Sequence, residues 1–290
     1  MNENQPRNPA PDTPPESEQA SSPDTTVVDF ARAAGNRDPV ISCVVNAHHE
    51  GQILYPTLRS VERARRCAAE FGLATELIIV LDKPDEPTRE VAGRFADRGT
   101  RIEEVTHGDL AESRNHAVQI ARGRFTTFLD GDDLWCRTWL VDCHLAAQCM
   151  DSDRFVLHPE YNVMFGNENA HVFNHVDMES RDFELENIYF MNYWTALSFA
   201  PTQVYRDYPY TRNRIGEGFG FEDWTWNVET IRNGFVHKVA MGTAHYVRIA
   251  KNSESLLKQT NTLRAVPRIH NIYSRDKAAA PAAPAKVRQA

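Results

Sequence analysis

The feature that most constrains this chain is an alternation of short apolar runs with amphipathic stretches. The runs are Val40–Val45 (VISCVV), Leu77–Leu81 (LIIVL), Arg101–Val105 and Phe125–Leu129 (FTTFL). Each is short and rich in β-branched residues, as a strand covered on both faces must be. Between them the apolar residues recur at helical spacing. The spacing predicts helices over Tyr55–Phe71, Thr88–Asp97 and Leu110–Ala121, closed near Gly72, Gly99 and Gly123. Strand–helix alternation with short connections predicts an α/β fold, a mostly parallel sheet flanked by helices. Ligands of such sheets bind at the carboxyl ends of the strands, so the residues just after each run carry the functional question.

Those residues are polar and acidic. Asn46-Ala47-His48-His49-Glu50-Gly51 follows the first run, Asp82-Lys83-Pro84-Asp85 the second, and Asp130-Gly131-Asp132-Asp133 the fourth. Asp85 and Glu86 read as a turn and helix cap. The Asp130–Asp133 cluster is different. Three carboxylates within four residues repel one another unless a cation neutralises them. Asp130 and Asp132 fall on one side of an extended chain, and their hard oxygens suit Mg²⁺ or Mn²⁺ better than zinc. The EF-hand pattern is absent, since Cys136 and Asp142 stand where its Gly and Glu are required.

Beyond residue 150 the texture changes to an aromatic-rich half with Tyr189, Phe190, Tyr193, Trp194, Tyr205, Tyr208 and Tyr210. Its sharpest segment is Gly216–Glu229 (GEGFGFEDWTWNVE), where a glycine-rich approach delivers Glu222 and Asp223 to the start of a helix. Acids there complement the helix dipole; in a cleft beside aromatic surface, one of them can also serve as a general base.

Taken in order, these segments resemble the inverting family 2 glycosyltransferases, which have the GT-A fold. The resemblance covers about Pro39 to Ser255. It rests on Val44–Glu50 (VVNAHHE), Leu77–Asp82 (LIIVLD), Glu112–Asp133 (ESRNHAVQIARGRFTTFLDGDD) and Gly216–Trp226 (GEGFGFEDWTW). It implies a Rossmann-like GT-A sheet that takes a nucleotide-diphosphate sugar donor. By this resemblance Asp82 hydrogen-bonds the donor's base, and His48 with the Asn46–Glu50 turn lines the nucleotide pocket. Arg114 lies near the nucleotide and diphosphate. Asp130 and Asp132 form the Asp-x-Asp metal motif for Mg²⁺ or Mn²⁺, with Asp132 the direct ligand. Asp223 is the catalytic base, with Glu222 beside it. Departures fall on the donor half: Asn46 replaces the usual Pro, His48 the usual Tyr, and Lys83 the second Asp of the usual pair. The stretches His245–Arg248 and Asn252–Ser255 resemble the family's closing segment. His245 is a candidate third metal ligand there, with a satisfied structural histidine as the weightier reading.

The expected organisation is a disordered tail at 1–38, a nucleotide-sugar half at 39–150, an acceptor and catalytic-base half of the same domain at 151–275, and an Ala/Pro-rich tail at 276–290. The expected reaction moves a sugar to a glycan or lipid-linked acceptor hydroxyl with inversion, in surface polysaccharide or glycoconjugate synthesis. Two other readings stay open: a sugar-phosphate nucleotidylyltransferase, disfavoured because the Gly-rich Arg/Lys loop after the first strand is missing, and a non-catalytic nucleotide-sugar or glycan-binding member. The formal net charge of −8 argues against nucleic acid as a partner. No run approaches the roughly 18 apolar residues of a membrane span, so at most peripheral membrane contact is expected. Five cysteines without a CxxC pair, and no apolar leader, fit a cytoplasmic protein at or near the inner face of the membrane. The arginine-rich helix (Arg59, Arg63, Arg65, Arg66) reads as a solvated face, and His171 and His175 as a weak zinc-like spacing.

Overall fold

A computed structural model of the protein describes residues 38–97, 99–249 and 256–270. The expectations for the two tails, apart from Asp38, and for Asn252–Ser255 lie outside the described residues. The four apolar runs become β1 (Ile41–Ala47), β2 (Thr75–Asp82), β3 (Thr100–Val105) and β4 (Phe125–Asp130). They pair in parallel in the order β3-β2-β1-β4. Every residue of β1 is buried, because helices cover both faces of the sheet. The chain enters β4 through Gly123, where a Cβ would lie 2.5 Å from the backbone nitrogen of Ser42; only glycine allows so close an approach of the two strands.

The intervening helices are α1 (Leu54–Glu70), α2 (Glu86–Gly93) and α3 (Leu110–Ile120). The expected second helix is displaced toward the N-terminus. Asp85 accepts a hydrogen bond from the Thr88 N–H and caps α2, so the helix starts before Thr88. On α1, Leu54, Leu58, Val61, Ala64 and Ala68 face the core. The solvated arginine face needs a correction. Arg65 is buried, and its guanidinium donates to Thr75 Oγ1 at 3.2 Å and to the Gly99 carbonyl at 3.3 Å. It closes the strand ends behind the helix and is no part of a surface patch.

The second half continues the same sheet. Its elements are β5 (Leu134–Trp135), α4 (Trp139–Gln148), β6 (Phe155–Phe165), β7 (His171–Asn174), β8 (Phe199–Pro201), α5 (Thr202–Asp207), α6 (Glu222–Arg232), β9 (Val236–Arg248) and α7 (Leu256–Thr262). β8 runs antiparallel to β4, β6 antiparallel to β8, β9 parallel to β6, and β5 antiparallel to β9. The expected parallel sheet is therefore the first half, and a mixed half is joined to it through β4 and β8. Most of the aromatics of this half lie in the core rather than on a cleft surface. Tyr205 stacks on Trp226 with centroids 5.0 Å apart, and Tyr193, Trp194 and Tyr210 are buried. Tyr189 and Tyr208 are half-buried, and Phe190 is 83% exposed. Among the described residues no helix is long and apolar enough to cross a membrane.

Candidate active site

β1, β2 and β4 end together. Register pairs Asn46 with Asp130 and Ala47 with Leu81, so the polar residues that follow the strands share one edge of the sheet. A cleft of about 460 Å³ opens there. Asn46, His48, Glu50, Asp82, Asp130 and Asp132 all line it. Asn46 is buried with neither atom of its amide hydrogen-bonded. A buried amide without partners is costly in an empty protein and fits a wall built to meet a polar ligand.

Other wall residues already hold the chain itself. The carboxylate of Asp82 accepts from the Gly108 N–H at 2.9 Å, the Asp109 N–H at 3.1 Å and the Ser113 hydroxyl at 2.9 Å. It thereby fixes the turn that opens α3, whose first turn Asp109 caps through Glu112 N. The ring of His48 bonds the Asp82 carbonyl, and the His48 backbone N–H donates to the Glu50 carboxylate. Burial, opposed by that hydrogen bond and reinforced by the charges of Asp132 and Asp130, pushes the Glu50 carboxyl up to about 7.

In the acidic loop the three carboxylates separate. Gly131 makes the turn tight: a Cβ there would lie 3.0 Å from the Asn46 carbonyl oxygen and 3.1 Å from Glu50. Asp130 and Asp132 stay on the cleft. Asp133 turns inward, where Oδ1 accepts from the Arg248 N–H at 2.8 Å and Oδ2 lies 3.2 Å from His245 Nε2. The other ring nitrogen of His245 meets Thr195 Oγ1 at 3.3 Å. His245 thus lies between Asp133 and Thr195, with Nε2 close to the carboxylate but without an aligned hydrogen bond. Among the described residues no three His, Cys, Asp or Glu side chains converge as a ready ligand set. The donor set that is present, two carboxylates on an open cleft, fits Mg²⁺, which keeps several waters and takes one or two carboxylates plus phosphate oxygens.

Behind the cleft wall lies Arg114, fully buried. It donates through Nη2 to Asp130 at 2.9 Å and through Nη1 to Glu222 at 2.8 Å. Burial opposes its charge, but Asp130 and Glu222 outweigh that and hold it cationic. Its guanidinium also sits 5.3 Å from the Tyr210 ring centroid. Arg114 is not part of the cleft lining; from behind the wall it ties the Asp130–Asp132 loop to the acid pair.

The acid pair divides its work. Phe221, just before α6, has φ +58°, a left-handed conformation rare for a bulky side chain and a sign of local strain. From that turn Glu222 points back to Arg114 and accepts from Asn213 Nδ2 at 3.0 Å. Asp223 takes a separate direction and accepts from Asn192 Nδ2 at 3.3 Å. Desolvation first, then the charge of Glu222, pushes the Asp223 carboxyl up to about 7 against the pull of Arg114. Asp223 is half-buried and is not among the residues that line the cleft. Sequence reasoning gave no role to Ser113, although it lies in the Glu112–Asp133 stretch, and missed Asn192 and Asn213, which stand in no recognisable motif. It named Arg248 only within the closing stretch His245–Arg248, with no role of its own; that residue closes β9, lines the cleft and donates to the Asp132 carbonyl at 3.1 Å.

Comparison with known proteins agrees with this arrangement. Residues 42–195 match the family model described as glycosyl transferase family 2. A curated relative, the uncharacterized glycosyltransferase EpsJ of Bacillus subtilis (strain 168), is 37% identical over 60 residues, 20% of this chain and 17% of that protein. Among solved structures, S. aureus TarS 1–349 superposes with a TM-score of 0.54 at 19% identity, covering 72% of this chain and 60% of that one. The same TarS segment in complex with UDP-GlcNAc gives 0.57 at 18% identity, covering 73% and 59%. The chain thus spans less than two thirds of each of these relatives. At this identity the TarS likeness establishes a shared fold, and the family match over more than half of the sequence establishes the lineage: the chain belongs to glycosyl transferase family 2.

Proposed function

We propose that the protein transfers a sugar from a nucleotide-diphosphate donor to an acceptor hydroxyl, with inversion at the anomeric carbon. The observation that carries this reading is the Arg114 bridge. It brings the Asp130–Asp132 loop and the Glu222–Asp223 pair, far apart in sequence, to the same edge of the sheet. A donor-side acidic loop and an acceptor-side base are the two halves that a single displacement needs.

The steps follow from the residues. Donor occupies the cleft, where the Asn46 amide offers an uncommitted donor and acceptor and Arg248 a cation. Mg²⁺ or Mn²⁺ held by Asp132, with Asp130, would stabilise the negative charge that develops on the departing diphosphate. An acceptor hydroxyl is a weak nucleophile near neutral pH. Asp223 takes its proton during attack, and a base poised near 7 suits that task. Glu222 cannot substitute, because its carboxylate is committed to Arg114 and Asn213. Holding the two substrates in line supplies further rate. The UDP-GlcNAc complex of TarS supports a nucleotide sugar as the donor class. A glycan or lipid-linked acceptor, in surface polysaccharide or glycoconjugate assembly, is the reading in keeping with the family.

The test is turnover with a panel of nucleotide sugars, with Mn²⁺ or with EDTA. Cation-dependent release of a nucleoside diphosphate is expected, lost in Asp132→Asn. Turnover that requires pyrophosphate, or full activity in EDTA, contradicts the reading.

A further inference from the structure

Asn192 sits in the loop that faces the start of α6, and its amide is held in one orientation. The Trp194 backbone N–H points at Asn192 Oδ1 at 3.5 Å, and the buried Asn227 donates Nδ2 to the same oxygen at 3.0 Å. A backbone N–H can only donate, so the oxygen of the amide faces Trp194 and Asn227. Its NH₂ group is left facing Asp223 Oδ2 at 3.3 Å. Asp223 and Asn227 are one helical turn apart on α6, so Asn192 spans two residues of the same face.

The loop is anchored at two further points. Trp224, adjacent to Asp223, donates its indole N–H to the Ile188 carbonyl at 2.7 Å. Trp194 donates its own to the Val176 carbonyl at 2.8 Å. Ile188, Tyr193 and Trp194 pack with Val228 and Ile231 of α6 in one apolar cluster. Asn192 is therefore carried on a segment fixed to the helix that bears the acid pair. Phe190 and Met191, just before it, are exposed.

We propose that Asn192 is a positioning residue for the base. It holds the Asp223 carboxylate by one oxygen and donates to its charged form, and so presents the base to the acceptor hydroxyl. This rests on Asp223 being the base. A neutral donor is the suitable partner here. The charged groups that act on Asp223 are Glu222 on its own helix, Arg114 of α3 and Asp130 at the end of β4; the Trp224 backbone N–H also bonds it, and Tyr210 packs against Arg114. Two of these are carboxylates that disfavour a further negative charge, and the one cation is shared with both of them. A hydrogen bond to the charged form offsets that repulsion.

Asn192→Asp is the informative variant. It is isosteric, and its carboxylate still accepts from Trp194 and Asn227, so the loop keeps both bonds. Only the group facing Asp223 changes, from donor to like charge. The carboxyl of Asp223 is followed by ¹³C NMR across pH in protein labelled at Asp, assigned by its loss in Asp223→Asn. In Asn192→Asp its titration is expected to move up by about one unit or more. With the nucleotide sugar that the panel selects, the acidic limb of kcat moves up by the same amount, while donor KM stays unchanged and kcat recovers at high pH. An unmoved Asp223 titration, or a loss of kcat uniform across pH, overturns the proposal. The NMR reading needs no turnover, so it stands apart from failure of the panel itself.

Discussion

Glu222 and Asp223 are neighbours with different fates, and the difference is set by which buried partner each one reaches. Glu222 meets a guanidinium that has no access to water, so its charge is neutralised and its direction fixed. Asp223 has no cation bonded to it, only the Asn192 amide and the Trp224 backbone N–H, and burial leaves its pKa raised. Asp223→Asn keeps the shape and cannot accept a proton. Turnover should fall by about 10²–10⁴-fold or more. Affinity for a nucleoside diphosphate with Mn²⁺, read by calorimetry, should change little, because the base works on the acceptor side. Near wild-type turnover in this variant would move the base elsewhere. From sequence, the pair was visible as FEDW, but its division of labour was not. Arg114 and Glu222 lie in separate motifs, and nothing local in either says that they pair.

Among the elements, the parallel half was legible because its strands are buried on both faces and therefore read as unbroken apolar runs. Leu77–Leu81 needed only polar extensions, Thr75 and Glu76 before it and Asp82 after it. The later strands were not legible. β6 and β9 are long, partly exposed and interleaved with polar residues, and β8 is three residues whose pairing is entirely non-local. Arg65 and the aromatics were misplaced for the same reason: a helix face or an aromatic run becomes surface or core according to what packs on it. The β1–β4 contact gives a direct check. Gly123→Ala puts a methyl group against the Ser42 backbone and should cost about 1–3 kcal/mol in denaturant unfolding. Gly216→Ala meets open space and should stay within about 0.5 kcal/mol of wild type. Equal stability of the two variants would show that the strands do not approach as described.

At the scale of the whole molecule, β6, β9, α6 and the 195–197 segment are joined by buried neutral histidines. His158 bonds the Leu197 carbonyl at 3.1 Å and His237 Nδ1 at 2.9 Å, and His237 Nε2 meets Thr230 Oγ1 at 2.9 Å. His175 bonds the Pro159 carbonyl and accepts from the Thr195 N–H. This engagement replaces the zinc-like spacing of His171 and His175, since His171 is exposed on β7. Burial pushes the His175 and His237 rings down to about 3, and His158 well below its usual range. A histidine whose pKa falls on folding lets the unfolded state bind more protons below about 6.5, so its contribution is lost as pH drops from there. Glu50 and Asp223 have raised values and act in the opposite sense between about 7 and their unfolded values. One histidine is isolated by His175→Gln. Between pH 7.5 and pH 5 the variant should lose about 2 kcal/mol less stability than the wild type. Equal losses in denaturant melts at the two pH values would mean that His175 titrates normally in the fold.

The central claim is a single displacement in which one carboxylate, Asp223, takes the acceptor proton and no glycosyl-enzyme forms. Its most direct test is the anomeric configuration of the product. An α-linked nucleotide sugar is supplied, and the new linkage is read by proton NMR before the sugar can equilibrate. The account predicts a β product. An α product would mean retention, and would contradict both the single displacement and the role given to Asp223.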